Sequence, residues 1–138
     1  MPIEFDITPA VRQSSAIPFE CLTVIRRFED LPLAQIRRGI VYFFAGWSGL
    51  SLTYFRLATK SLASLMDTPG LEIYVVDIDC VPGDFLMSTF GHSYPAGSGE
   101  TVWVRDGHIV SVADTYLGPE VEAEVSRRTR ELLRDNAA

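Results

Sequence analysis

Two serines frame the one turn of this chain whose residue types and spacing could carry chemistry. The run Trp47-Ser48-Gly49-Leu50-Ser51 follows an apolar segment and leads directly into a helical pattern. A helix that begins at the end of a buried strand presents unpaired N–H groups there, so this turn could bind an anion. Ser48 could also act as a nucleophile, provided that a neighbouring base activated its hydroxyl.

A nucleophilic Ser48 would need a histidine, and the chain contains only His92 and His108. The local run from Gly46 to Leu50 does not follow the Gly-x-Ser-x-Gly pattern of a nucleophile elbow. His92 lies in a loop rich in glycine and serine, and His108 lies in a predicted hairpin. We therefore interpret Ser48 as a helix N-cap and His92 as a loop residue, and we predict no catalytic residue.

Thiols and paired carboxylates are the other candidates. Cys21 and Cys80 form neither a Cys-x-x-Cys motif nor a metal-binding spacing, so we predict two buried thiols, with a disulfide between them left open. Asp77 and Asp79 are two residues apart on a predicted strand and would share one face. Since no third ligand accompanies them, we predict that they cap a turn, and that the protein binds no metal and no cofactor.

The composition is typical of a single globular domain. The 138 residues are 47% hydrophobic and 22% charged, which is enough to bury a core. Eighteen acidic and twelve basic residues give a net charge of −6, which disfavours nucleic acid and favours a basic partner. No apolar run is long enough to span a membrane and no signal peptide is apparent, so we expect a cytoplasmic protein.

The N-terminal part divides into an extension and the start of the domain. We interpret residues 1–16 as an extension with one short strand at Ile3 to Ile7, and residues 17–138 as the domain. The β-forming residues from Phe19 to Ile25 predict a strand. Asp30 to Ile36 is predicted to be a short helix that two arginines and a glycine terminate.

The central part alternates strands and helices. Ile40 to Ala45 is apolar throughout, as is typical of a strand that is buried on both faces. Leu50 to Met66 has apolar residues at helical spacing, and Leu71 to Ile78 predicts a second buried strand. A short helix is predicted from Asp84 to Phe90.

The C-terminal part predicts a hairpin and a helix. Thr101 to Arg105 and His108 to Val112 are separated by Asp106-Gly107, a dipeptide that favours a type I′ turn. Gly118-Pro119 is predicted to open the last helix.

This order of elements resembles thioredoxin topology, and the resemblance spans Phe19 to Leu133. It rests on the strand that leads into Trp47–Ser51, on Val76–Asp79 ahead of Pro82-Gly83, and on the hairpin before the last helix. The resemblance implies an α/β protein with a thioredoxin-like three-layer α/β/α sandwich and a central mixed sheet of four to five strands.

The chain departs from the thioredoxin pattern at each redox position. The family motif is Trp-Cys-Gly-Pro-Cys, and here Ser48 and Ser51 replace both cysteines. A serine hydroxyl cannot form a disulfide, so we expect no dithiol–disulfide exchange. The buried aspartate of the family falls on Tyr42, and the position of its cis-proline falls on Gly99 or Glu100.

We interpret the chain as a redox-inactive thioredoxin-like binding or adaptor protein and not as an enzyme. The resemblance implies that a protein partner binds at the Trp47 turn and the 91–100 loop. Cysteine-less relatives include chaperones of hydrogenase assembly, which favours a chaperone-like role, and an immunity-type role is the other that we consider. Its oligomeric state stays open. The predicted partner-binding residues are Trp47, Leu50, Tyr94, Pro95, Gly99 and Glu100.

An alternative is an enzyme or small-ligand binder. The helix N-terminus after Trp47 and the hydroxyls of Ser48 and Ser51 could hold a glutathione-like thiol or another anion. The resemblance lends this some support, because glutathione-using relatives often keep a serine at the first position of the motif.

Overall fold

The computed structural model describes residues 6–114 and 120–134. In these ranges the main elements follow one another in the order α-β-β-α-β-α-β-β-α. They are α1 (Thr8–Ser14), β1 (Thr23–Ile25), β2 (Arg38–Phe44), α2 (Gly49–Leu62), β3 (Glu72–Asp77), α3 (Gly83–Phe90), β4 (Thr101–Arg105), β5 (His108–Ala113) and α4 (Val121–Leu133). No helix among the described residues is long and apolar enough to cross a membrane.

The five strands form one mixed sheet in the order β1-β3-β2-β4-β5. β3 runs parallel to β1 and β2, whereas β4 runs antiparallel to β2 and β5 antiparallel to β4. β2 therefore lies at the centre and has helices on both sides. This position explains the uninterrupted apolar run from Ile40 to Phe44, since both faces of the strand are buried there.

Two cores cover the two faces of the sheet, as the predicted three-layer α/β/α sandwich requires. On one face, α1, α2 and α4 pack on residues such as Tyr42 and Trp103. On the other face, Leu86 and Phe90 of α3 pack on residues such as Phe43. The Trp103 indole is fully buried and donates a hydrogen bond from Nε1 to Oγ1 of Thr129, at 3.1 Å, so that α4 is fixed on β4.

The described part of the predicted extension forms a helix. α1 occupies Thr8–Ser14, and the buried side chains of Ile7 and Val11 join the same core as Ile17. The short strand predicted at Ile3 to Ile7 falls mainly on residues outside the described ranges.

Two predictions for the following segment are wrong in part. Phe19–Cys21 forms a 3₁₀ turn, and the strand predicted from Phe19 is confined to Thr23–Ile25. The helix predicted from Asp30 to Ile36 is absent and is replaced by 3₁₀ turns at Phe28–Asp30 and Leu33–Gln35. Pro32 is the physical reason, because a residue before proline avoids helical geometry and Leu31 is extended, with ψ of 113°.

The remaining elements match their predictions closely. The helix predicted to Met66 ends at Leu62 and tightens into a 3₁₀ turn at Ala63–Leu65. The predicted hairpin is confirmed, because Asp106 and Gly107 have φ of 49° and 78°, as a type I′ turn requires. Gly118-Pro119 lies outside the described residues.

Candidate functional site

Ser48 is the N-cap of α2, as the sequence predicts. It has an extended backbone, and its Oγ accepts a hydrogen bond from the backbone N–H of Ser51 at 3.3 Å. The hydroxyl also donates a hydrogen bond to the carbonyl oxygen of Gly97 at 2.7 Å. Ser48 thus satisfies one of the unpaired N–H groups in the first turn of the helix and connects the helix to the 91–100 loop.

Neither histidine is hydrogen-bonded to Ser48. His92 makes its contact within its own loop, where Nδ1 lies 2.8 Å from the carbonyl oxygen of Tyr94 and the ring stacks on Phe90. His108 is exposed at the start of β5, at the opposite end of the sheet. The geometry required for an activated serine, a base in hydrogen-bond contact with the nucleophile, is not present in the described residues.

Ser51 and Tyr42 form a buried hydrogen-bond network under the turn. Ser51 is fully buried, and its Oγ accepts a hydrogen bond from the backbone N–H of Ala45 at 3.0 Å. The Tyr42 hydroxyl donates to the Ser51 carbonyl oxygen at 2.7 Å. Thus Ser51 and Tyr42, which the resemblance aligns with a cysteine and a buried aspartate, are neutral groups that satisfy backbone polar atoms.

Trp47 lies on the surface and is held there by a carboxylate. Its side chain is 56% exposed, and Nε1 donates to both carboxylate oxygens of Asp79, at 3.1 and 3.2 Å. Asp79 is itself positioned because its backbone N–H donates to Oδ1 of Asp77 at 3.0 Å. The predicted turn-capping role is confirmed for Asp77, whereas the carboxylate of Asp79 holds the indole instead; burial raises the pKa of Asp77.

The two aspartates are not a pair of metal ligands on one strand face. Asp77 ends β3, whereas Asp79 lies in the 3₁₀ turn that follows. Among the described residues, no group of three or more histidine, cysteine, aspartate or glutamate side chains could hold a metal ion.

The 91–100 loop packs against the Trp47 turn through glycine. Gly97 has φ of 68°, and a Cβ placed there would lie 2.9 Å from the Trp47 ring. The described residues contain no cis peptide bond. Gly99, with φ of 89°, and Glu100, directly before β4, are the two residues on which the resemblance places the family's cis-proline position.

Glu100 is a fully buried residue whose carboxylate organises this loop. Oε2 accepts a hydrogen bond from the backbone N–H of Ala96 at 3.1 Å, and Oε1 accepts one from Ser98 at 3.0 Å. Its carbonyl oxygen accepts from the N–H of Phe43 at 2.9 Å, which joins the loop to β2. The carboxylate is therefore engaged inside its own loop and makes no hydrogen bond to Ser48.

The two cysteines differ in exposure, and both are free thiols. The prediction of two buried thiols is wrong for Cys21, which is exposed in the turn before β1. Cys80 is half-buried, and burial, together with the nearby Asp77 carboxylate, raises its pKa to about 11. At neutral pH Cys80 is protonated and is a poor nucleophile.

Three large apolar side chains remain exposed at this end of the sheet, and we call them the Trp47 surface. They are Trp47, Leu50 and Tyr94, with exposed fractions of 56%, 57% and 63%. Pro95, the neighbour of Tyr94, is half-buried, whereas Gly99 and Glu100 are buried, so these last two predicted contact residues lie behind the surface.

Sequence reasoning missed the hydrogen bonds that hold this surface in place. Asp79 anchors the Trp47 indole, and Glu100 holds the loop that Trp47 covers. One signal was available for Asp79, because an acidic residue after the strand next to β2 lies at the same sheet edge as the Trp47 turn. A glutamate in a loop rich in glycine and serine gives no comparable sign of burial.

The fold is thioredoxin-like, as comparison with solved structures shows. A thioredoxin from Trypanosoma brucei brucei superposes with a TM-score of 0.58 at 16% identity, over 83% of this chain and 92% of its own. Mitochondrial thioredoxin 3 from Saccharomyces cerevisiae gives 0.58 at 14% identity, over 81% and 96%. A chain from the structure on the thiol resolving mechanism of yeast mitochondrial 1-Cys peroxiredoxin gives 0.60 at 15%, over 82% and 97%.

These identities establish the fold alone. No protein-family model matches the chain, and no curated protein matches it.

Proposed function

We propose that this protein is a redox-inactive thioredoxin-like binding protein that holds a protein partner on the Trp47 surface. The observation that carries the proposal is the joint exposure of Trp47, Leu50 and Tyr94 beside a turn whose hydroxyls are all engaged internally. Aromatic side chains that are exposed yet fixed are typical anchors of protein interfaces, because they bury a large area at a small entropic cost.

Thiol exchange is not part of this proposal. Ser48 and Ser51 stand at the two motif positions, and a hydroxyl cannot form the mixed disulfide through which exchange proceeds. Cys80, the thiol in the turn that also holds Asp79, has its pKa raised to about 11, which disfavours the reactive thiolate. An adaptor, chaperone-like or immunity-type role uses the scaffold without this chemistry.

The charge around the surface favours a basic partner. Asp79 carries its carboxylate against the Trp47 indole and Asp77 lies in the same turn, within a chain of net charge −6. Opposite charges at the rim of an interface speed association and select the partner. We propose that the partner places a basic segment beside Trp47, and we place the encounter in the cytoplasm.

An affinity pull-down from the native lysate tests the proposal. Wild type is compared with Trp47→Asp and with a control, Val110→Asp, which changes an equally exposed apolar residue, 52% exposed, on β5. We expect a stoichiometric partner with wild type and the control, and its loss with Trp47→Asp while circular dichroism shows an intact fold. An unchanged partner set in Trp47→Asp would refute the proposal.

The alternative, an enzyme or small-ligand binder at the start of α2, gains no support from the site. The Ser48 hydroxyl already donates to Gly97 and accepts from Ser51, and the Ser51 hydroxyl is buried and accepts from Ala45. A glutathione-like thiol or other anion would have to displace these bonds. A rise in melting temperature with glutathione would reopen this alternative, since a ligand that binds the folded state stabilises it.

A further inference from the structure

A second concave site lies at the end of the sheet opposite the Trp47 surface. β2 begins there with Arg38, β4 ends there with Arg105, and the loop at Pro69-Gly70 forms a wall. The cleft has a volume of about 500 Å³. This volume falls in the range of sites that bind small molecules.

Arginine dominates the charge of this site, which we call the arginine cleft. Arg37, Arg38 and Arg105 line it, against the two carboxylates of Glu72 and Asp106. Glu72 already accepts a hydrogen bond from the Tyr74 hydroxyl at 2.8 Å. Cations therefore outnumber anions here, although the chain as a whole carries a net charge of −6.

Arg105 is held in place by the end of α4. Its Nη2 donates to the carbonyl oxygens of Glu131 and Leu132 at the end of α4, at 2.8 and 2.7 Å. Its Nε is buried and has no acceptor among the described residues. A guanidinium that is already positioned loses little side-chain entropy when it binds an oxyanion.

The backbone brings the other two arginines to the same place. Arg38 is directly opposite Arg105 in the antiparallel pairing of β2 with β4. Arg37, the preceding residue, is exposed, and its carbonyl oxygen accepts from the N–H of Asp106 at 2.8 Å, so the start of β2 is fixed to the hairpin turn. The strand register and this hydrogen bond therefore bring all three arginines to the same end of the sheet.

We propose that the arginine cleft binds a small molecule that carries at least two oxyanion groups. Guanidinium groups match phosphate and carboxylate oxygens in fork geometry, so either a phosphorylated compound or a polycarboxylate supplies the required chemistry. A site of this volume with walls from three segments fits a small ligand better than a flat protein contact. This site is independent of the Trp47 surface.

Thermal unfolding and calorimetric titration test the proposal with inorganic pyrophosphate and citrate as probes, in low-salt buffer at matched ionic strength. We expect one of the probes to raise the melting temperature of wild type by about 3 °C or more at 10-fold excess over its Kd. Arg37→Gln should weaken that binding by about tenfold, because it removes a charged contact from an exposed residue. Arg56→Gln, which removes the same charge from an exposed position on α2, should bind as wild type does.

Arg105→Lys provides a second variant, since lysine keeps the positive charge but lacks the fork. We expect it to fold and to bind the probe at least about tenfold more weakly than wild type. Preference for pyrophosphate would assign a phosphorylated ligand, and preference for citrate a polycarboxylate. Absence of any shift up to about 10 mM of either probe, or equal shifts in wild type and Arg37→Gln, would overturn the proposal.

Discussion

The Trp47 surface and the arginine cleft lie at opposite ends of one sheet and use their polar groups in opposite ways. At the Trp47 end, Ser48, Ser51 and Glu100 direct their oxygens inward to backbone atoms, and apolar rings are left outside. At the other end, Arg105 is fixed but keeps an unsatisfied buried Nε. The first arrangement suits a partner recognised by apolar contact, and the second suits a partner recognised by charge.

This difference shows why motif positions alone do not reveal which polar groups are available to a ligand. The family resemblance directs attention to the turn of Ser48, where the polar atoms are already satisfied. A donor without an acceptor among the described residues is found instead at Arg105 Nε, on a strand end that no motif marks. An inventory of satisfied and unsatisfied donors therefore separates a structural site from a site prepared for a ligand.

The largest effect should come from removing the carboxylate that organises the Trp47 end. Glu100→Ala empties a fully buried position and leaves the part-buried N–H groups of Ala96 and Ser98 without their acceptors. We expect the free energy of unfolding to fall by about 3 kcal/mol, measured by urea denaturation. Glu20→Ala, at an exposed position, is the control and should change it by less than about 0.5 kcal/mol. A loss below about 1 kcal/mol for Glu100→Ala would show that the loop does not depend on this carboxylate.

The next prediction concerns the Cys80 thiol, which should react slowly at neutral pH. With its pKa raised from 9.0 to about 11, the Cys80 thiolate at pH 8 should be about a hundredfold scarcer than in an unperturbed thiol. Alkylation with iodoacetamide, followed by mass spectrometry, should modify the exposed Cys21 first, and the Cys80 rate should rise until pH approaches about 11. A Cys80 rate that levels off below pH 9 would contradict this ordering.

A substitution at the hairpin tests the framework of the arginine cleft. Gly107 has φ of 78°, and a Cβ there would lie 2.7 Å from the carbonyl oxygen of Ala34. We expect Gly107→Ala to cost about 2 kcal/mol by urea denaturation, from backbone strain and the clash together. Gly70→Ala is the matched control, because Gly70 has φ of 85° but open space around it, and it should cost only about 1 kcal/mol. Equal costs for both would rule out the close approach to Ala34.

The smallest change in the free energy of unfolding should follow from removing the carboxylate that holds the Trp47 indole. Asp79→Ala removes the acceptor of Trp47 Nε1 at the protein surface, so the free energy of unfolding should fall by only about 0.5 kcal/mol. Partner affinity should nevertheless weaken, because the ring must then be immobilised on binding. Full partner affinity in Asp79→Ala would show that the anchored indole is not needed.

The sequence predicts most of the sheet but not the segments whose structure depends on distant contacts. The apolar run of β2 and the Asp106-Gly107 turn carry strong local signals, and both predictions are confirmed. α1 has only seven residues and is stabilised by the burial of Val11 against α2. No local sequence pattern predicts this contact. The helix predicted around Pro32 shows the reverse error, since the apolar pattern from Leu31 to Ile36 favours a helix and the proline within it prevents one.

The sequence predicts which side chains of the candidate site are exposed, but it does not predict the buried hydrogen bonds that hold them in place. Trp47, Leu50 and Tyr94 are exposed as a binding surface requires. Glu100 looks like a solvent-exposed loop residue in sequence, and its burial depends on two N–H groups that the folded loop brings together. The arginine cleft depends on strand register, which places Arg38 opposite Arg105 across 67 positions of sequence.

The fluorescence of the two tryptophans should report separately on partner binding and on unfolding. Trp47 faces water, and Trp103 is fully buried beneath α4 with the Arg128 guanidinium over its ring. Emission from Trp47 should therefore lie at longer wavelength and be quenched by acrylamide, whereas emission from Trp103 should be shielded until the protein unfolds. A blue shift of the quenchable component would report partner docking, and the shielded component would report unfolding, without any added dye.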